Sequence, residues 1–194
     1  MTVRCRRSRI SGPPVNEGRK EIPFMLIVFG GLPGTGKTTI SRGVARTLAA
    51  THLRVDLIEQ AIRDSGVPAD AVGASGYAVA QALAGANLSD GRVVVADCVN
   101  PVTASRAGWR AVAARAAVRL IEVEVVCTDP QEHRRRVEGR VSDIPSLVLP
   151  AWEEILRSGY EPWDRPRLVI DSATSSPSEA IAAALAAMPS DLPV

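Results

Sequence analysis

The chain predicts an α/β fold of three layers, with helices covering both faces of a five-stranded parallel sheet. Three observations predict it. Apolar runs of strand length alternate with stretches of helical periodicity along the chain, the order of strand–helix–strand units. Val93-Val94-Val95-Ala96 is apolar without a break, as in a strand buried on both faces. The first apolar run, Phe24-Met25-Leu26-Ile27-Val28-Phe29, meets a glycine-rich turn that opens into a helix.

Taken in order, residues 1–22 contain Ser11-Gly12-Pro13-Pro14 and read as a disordered basic leader. Residues 23–194 read as one domain. The first strand spans about 24–29, and a helix over about 37–50 carries apolar residues at 40, 44, 45 and 48. Leu53-Arg54-Val55 forms a short second strand ending at Asp56, followed by a helix through Ile58, Ala61 and Ile62 that stops near Ser65-Gly66. An alanine-rich helix containing Tyr77 covers about 75–88, and Ser89-Asp90-Gly91 turns the chain into the third strand. After Asp97-Cys98-Val99-Asn100-Pro101 a helix runs through Trp109 to about 118, and the fourth strand covers about 120–126. Asp129-Pro130 starts an arginine-rich helix, Pro145 and Pro150 bound a mobile segment, and residues 151–158 are helical again. Leu168-Val169-Ile170 is the last strand; Ser176-Pro177-Ser178-Glu179 is a capping box that launches a final helix to about 188.

Composition narrows the function classes. No apolar run approaches the roughly 18 residues that span a bilayer, so no membrane partner is expected. Cys5, Cys98 and Cys127 are odd in number and widely spaced, which points away from a disulfide framework or zinc site and towards a cytoplasmic setting. Residues 1–20 carry six cations against Glu17, a charge of +5, so a chain of net +2 leaves −3 for the rest. A mildly acidic body argues against a nucleic-acid duplex as partner, though the leader could touch RNA. A monomer or homodimer is expected.

The turn carries the chemistry. Gly31, Gly36, Lys37 and Thr38 fit G-x-x-x-x-G-K-[ST], a phosphate-binding loop, in the strand–loop–helix setting the pattern requires. Backbone N–H groups of Gly31, Pro33-Gly34-Thr35-Gly36 and Lys37-Thr38-Thr39, Pro33 excepted, would close around nucleotide phosphates at a helix N-terminus. Lys37 would reach the β- and γ-phosphates of ATP, and the Thr38 hydroxyl would ligate Mg²⁺. Lys37 is also the one lysine of the body, since Lys20 lies in the leader and the remaining basic residues are arginines.

In a parallel sheet of this kind, active groups gather at the carboxyl ends of the strands. Asp56 stands there as a general base for an acceptor hydroxyl or as a helix N-cap, its strand being expected beside that of the phosphate loop. Glu59, one turn on, is the alternative base, and Arg63 either pairs with Glu59 or contacts substrate. Asp97 follows four apolar residues, as a carboxylate that orients Mg²⁺ or binds acceptor hydroxyls would. Asn100 reads as a cap, and Arg106 as a substrate contact or a solvated side chain. Arg136 and Arg140, one turn apart, could neutralise charge on a transferring phosphoryl group. His52 and His133 lack metal-ligand spacing and read as surface residues.

With these residues assembled, the chain resembles the P-loop small-molecule kinases of the predicted-kinase, zeta-toxin-like and chloramphenicol phosphotransferase group, with an AAA-type ATP-binding domain. Val55-Asp56 followed by Ile58-Glu59 looks like the stretch bearing the catalytic aspartate in chloramphenicol phosphotransferase. Asp97-x-x-Asn100-Pro101 and then Arg106-x-x-Trp109 is similar to the substrate-side segment of polynucleotide kinases. The resemblance implies a P-loop fold of the nucleotide-kinase type, a helical lid over about 130–150, ATP and Mg²⁺. It implies Asp56 as base, Asp97 as metal or substrate contact, and a small-molecule hydroxyl (nucleoside, sugar or antibiotic-like) as acceptor. Glu59 stands where polynucleotide kinases carry an arginine, which argues against a nucleic-acid 5′-hydroxyl. A polynucleotide kinase and a regulatory NTPase without an acceptor are the alternatives.

Overall fold

β1 (Met25–Gly30) is the central strand, and every one of its residues is buried. The computed structural model describes residues 24–188; the leader expected over 1–22 lies outside them. α1 (Lys37–Thr47) leads to β2 (Thr51–Arg54), followed by α2 (Val55–Asp64), the short α3 (Ala69–Val72) and α4 (Ser75–Ser89). Next come β3 (Val94–Asp97), α5 (Thr103–Ala116), β4 (Arg119–Val126), α6 (Pro130–Gly139) and α7 (Trp152–Leu156). β5 (Leu168–Asp171) and α8 (Pro177–Ala186) complete the order. The five strands pair in parallel in the order β2-β3-β1-β4-β5.

Strand periodicity builds two cores. Met25, Ile27 and Phe29 face Ile40, Val44 and Leu48 of α1 and Ala180 and Ala184 of α8. Leu26 and Val28 face the opposite layer, Ala80 and Ala84 of α4 with Trp109 and Val112 of α5. Alternate residues of a strand point to opposite faces, so one apolar run serves both layers. Each large side chain so buried contributes about 1.5–3 kcal/mol, which anchors the loop that follows β1. The capping box of α8 forms as expected, with the Glu179 N–H donating to Ser176 Oγ.

Two expectations fail, and both concern β2. It stops at Arg54, so Val55 and Asp56 open α2 instead of closing a strand. It also pairs with β3 and not with β1. The edge position explains the difficulty: all four β2 residues are only partly buried, so the apolar signal is weak. No helix among the described residues is long and apolar enough to cross a membrane.

Candidate active site

The loop after β1 is held tightly. Gly31 has φ 140°, and a Cβ there would collide with the Val125 carbonyl on β4. Its N–H donates to the Val99 carbonyl at 3.0 Å, and the Thr35 hydroxyl donates to the Leu32 carbonyl at 2.9 Å. Gly36 caps α1, whose first turn, Lys37-Thr38-Thr39, holds no acidic residue. The helix N-terminus therefore keeps its partial positive charge for an anion. Lys37 is buried beside it.

Three cavities meet around this loop. The first, about 510 Å³, is lined by Lys37, Thr38, Arg42, Arg54, Arg136 and Arg140, with Asp56 and Asp143 as its carboxylates. The second, about 350 Å³, shares Gly36, Thr39 and Arg136 with it and extends between α6 and the β5–α8 turn at Ser172, Ser175 and Pro177. The third, about 260 Å³, lies on the other side of Asp56, walled by Glu59, Tyr77, Val99, Pro101 and Ile155. Asp56 lines both the first cavity and the third.

Asp56 is the second residue of α2, whose N-cap is Arg54, so the side chain is not spent on capping. Arg54 Nη2 lies 3.8 Å from its carboxylate. One helical turn on, burial and then the Asp56 charge push the Glu59 carboxyl up, with Arg63 opposing them. Arg63 resolves towards pairing: its guanidinium lies 3.6 Å from Glu59 and 3.4 Å from the Gln60 side-chain oxygen.

Asp97 ends β3 between Phe29 of β1 and Arg54 of β2. It is 1% exposed, and neither carboxylate oxygen has a hydrogen-bond partner among the described residues. The nearest basic side chains, His52 at Nε2 and Arg54 at Nε, stand 3.9 Å away. A buried carboxylate with free lone pairs is costly unless a cation or water completes it, so Asp97 with Thr38 fits Mg²⁺. No group of three or more His, Cys, Asp or Glu among the described residues is placed to hold a metal ion by itself. That agrees with Mg²⁺, which takes one or two carboxylates and fills its shell with phosphate oxygens and water. His52, expected at the surface, is instead mostly buried with Nε2 3.1 Å from Ser41 Oγ, and burial lowers its pKa.

The helix after β4 lies against the loop. Asp129 caps α6 through bonds from the Gln131 and Glu132 N–H groups. His133, also expected at the surface, is buried; its Nε2–H donates to the Pro33 carbonyl at 2.8 Å and its ring meets Trp152 edge-on at 5.1 Å. Arg136 bonds Glu132 and both the hydroxyl and carbonyl oxygens of Ser172. Arg140 is half-buried with Nε unpartnered among the described residues; burial lowers its pKa and the Asp56 charge works against that. Both arginines line the first cavity.

The substrate-side segment departs most from expectation. Arg106 is 0% exposed, and its guanidinium donates to the carbonyls of Asn100, Pro101, Glu161 and Pro162 at 2.6–3.1 Å. It also stacks 4.4 Å from the Trp163 ring centroid. Four of its five N–H groups are spent on these carbonyls and no part of it is exposed, so it presents no open face to a substrate, and it is not solvated. Asn100 is no cap either: Val102 caps α5, and Asn100, at φ 53°, donates its backbone N–H to the Tyr77 hydroxyl at 2.8 Å.

Sequence reasoning also missed Arg42, Arg54 and Asp143. Asp143, from the segment after α6, accepts from Arg54 at 2.6 Å and Arg42 at 2.9 Å, which holds its carboxyl down to about 2. Arg42 had a signal, since it follows Thr38 by one turn on the same helix face. Asp143 had none, because its partners are 101 and 89 residues away.

Residues 26–162 match the AAA_33 family, an AAA domain. Among solved structures, the Mycobacterium tuberculosis APS kinase CysC in complex with AMPPNP and APS is 20% identical, with a TM-score of 0.61 over 85% of this chain and 99% of that one. A gluconokinase from Sinorhizobium meliloti 1021 is 20% identical, with a TM-score of 0.57 over 84% of this chain and 90% of its own. Chaetomium thermophilum Kti12 in complex with ADP-AlF3 is 20% identical, with a TM-score of 0.59 over 84% and 99% respectively. No curated protein sequence matches the chain.

Proposed function

Because the chain belongs to the AAA_33 family of AAA domains and has the fold of the P-loop kinases, we propose that it is an ATP-dependent kinase transferring the γ-phosphoryl group to a hydroxyl of a small molecule. The observation that carries this is the position of Asp56, which lines both the phosphate-side cavity and the separate cavity beyond it. A base in that position can touch an acceptor hydroxyl on one side while facing the γ-phosphate on the other.

The roles follow from the cavities. The nucleoside end of ATP occupies the space between α6 and the β5–α8 turn, with its phosphates over Gly36, Lys37 and Thr38. Lys37 draws the γ-phosphate into line, and Arg136 and Arg140 neutralise charge that spreads over the transferring group. Mg²⁺, held by Thr38 and Asp97, would screen the phosphates from one another. Asp56 accepts the hydroxyl proton as the acceptor oxygen bonds to the γ-phosphorus. The bond from that phosphorus to the β–γ bridging oxygen breaks with its electron pair, leaving ADP.

The test is Asp56→Asn, assayed for ADP release with a panel of nucleosides, sugars and antibiotics. Transfer should fall roughly 10²–10⁴-fold, the contribution of a general base, with MgADP binding retained. Equal loss on Glu59→Gln with Asp56→Asn active would move the base to Glu59.

A further inference from the structure

The two cavities on either side of Asp56 differ in charge. The phosphate side carries Lys37, Arg42, Arg54, Arg136 and Arg140. The acceptor side is walled by three carboxylates, Asp56, Glu59 and Glu154, and among the described residues no lysine, arginine or histidine lines it. A carboxylate, sulfate or phosphate on the acceptor would meet no side-chain cation there and would face like charge.

Glu59 is the member that asks for a partner. Its side chain is 22% exposed, and its ion-pair partner Arg63 stands off at 3.6 Å, beyond hydrogen-bond reach. No hydrogen bond to its carboxylate forms among the described residues, although it packs directly against Gly76 of α4. Glu154 gives one oxygen to the Ala151 N–H at 2.7 Å and keeps the other free. Apart from Ser158, the remaining wall, with Tyr77, Val99, Pro101 and Ile155 among it, suits an apolar body. Beyond Tyr77 and Pro101, an apolar groove of about 450 Å³ continues between α4 and α5, floored by Gly73, Ala78 and Gly108.

We propose that the acceptor is an amino alcohol with an apolar body, its hydroxyl at Asp56 and its ammonium on Glu59, an inference that rests on the kinase reading above. Glu59 follows Asp56 by three residues on α2, a spacing of about 5–6 Å between Cβ atoms, which matches an ammonium two or three carbons from the reacting hydroxyl. The product is the phosphate ester, with ADP released and the hydroxyl proton taken by Asp56.

Three compounds that differ in one group test this: 2-amino-1-phenylethanol, 1-phenylethane-1,2-diol and mandelate, as cation, neutral and anion. ADP release with MgATP should give the amino alcohol a kcat/KM about 10- to 100-fold above the diol, the range for one charged hydrogen bond in a half-buried site, and no transfer to mandelate. Glu59→Gln should bring the amino alcohol down to the level of the diol. The proposal is overturned if the diol or mandelate is the better acceptor, if Glu59→Gln leaves the ratio unchanged, or if none of the three accepts phosphate. ADP release that depends on an acceptor from the wider panel of nucleosides, sugars and antibiotics, lost in Lys37→Ala, separates the cases. With that turnover present only the acceptor class fails; without it the kinase reading fails too.

Discussion

Arg106→Lys distinguishes a structural strut from a substrate contact, and its size can be worked from the contacts. Arg106 satisfies four carbonyls in a site with no solvent access. Lysine keeps the charge but brings three donors on a point-like head, so at least one carbonyl loses its partner at about 1–3 kcal/mol. Losing the planar stack on Trp163 and Tyr160 adds about 1–2 kcal/mol. The sum, about 2–5 kcal/mol, overlaps the range for breaking a buried charged network. In a domain of this size each kcal/mol lowers Tm by roughly 2–4 °C, so differential scanning fluorimetry should record a fall of about 4–20 °C. Proteolysis should then cut first near Asn100-Pro101 and Glu161-Pro162, the two segments the guanidinium ties together. A Tm within about 2 °C of the parent, joined to a raised KM for the acceptor, would refute this and restore Arg106 to the substrate.

Three further outcomes follow from the same geometry. Lys37→Ala should abolish ATP turnover and the MgADP thermal shift; unchanged turnover would remove the basis of the phosphate-loop reading. Gly34→Ala forces a side chain to φ +87° and brings its Cβ to 2.5 Å from Val137 Cγ2 on α6, costing about 2–5 kcal/mol from left-handed backbone and overpacking together. Urea unfolding should shift accordingly, and an unmoved midpoint would mean that α6 does not rest on the loop. Asp143 is held to about 2 by Arg54 and Arg42, below its unfolded range, so its contribution is present above about pH 4 and vanishes as pH falls towards 2. Because its side chain is 52% exposed, that contribution is at most about 1 kcal/mol. Asp143→Asn should therefore lower Tm by about 2–4 °C at pH 7, with parent and variant converging near pH 2. A gap that persists at pH 2 would show that the ion pairs are not its source.

The parts of this molecule that were legible from sequence are those whose cause is local. β1, the loop and α1 form one contiguous unit in which apolar run, glycines and helical spacing all point to the same structure, and residues 40, 44, 45 and 48 are buried in α1 and its C-cap as the spacing requires. The capping box of α8 and the apolar patterns of β3 and β4 are local in the same sense. What failed depends on partners far along the chain. Arg106 reads like any helical arginine until Glu161 and Pro162, 55 and 56 residues away, bring their carbonyls to it. His133 reads as a surface residue until the turn at Pro33, 100 residues back, offers an acceptor. Periodicity carries no information about such pairs, because a polar side chain at a buried position is specified by its acceptor and not by its neighbours.

The error over β2 is the instructive one, since the true strand order improves the site. Had β2 lain against β1, Asp56 would stand next to the phosphate loop, a carboxylate facing a polyanion across one strand spacing of about 4.8 Å. With β3 between them, the carboxyl edge of the sheet runs from the loop through Asp97 to Arg54 and Asp56. On the kinase reading proposed above, Asp97 would serve the metal from the strand beside the loop, and Asp56 would serve the proton from beyond the next strand, where it lines both cavities. Arg54, 3.8 Å from Asp56 and 3.9 Å from Asp97, stands between the two negative charges and reduces their mutual repulsion. Two like-charged groups at one strand end would compete for a single proton or metal ion; with one at the end of β3, the other in the first turn of the helix after β2 and a guanidinium between them, they can hold different roles at the same pH.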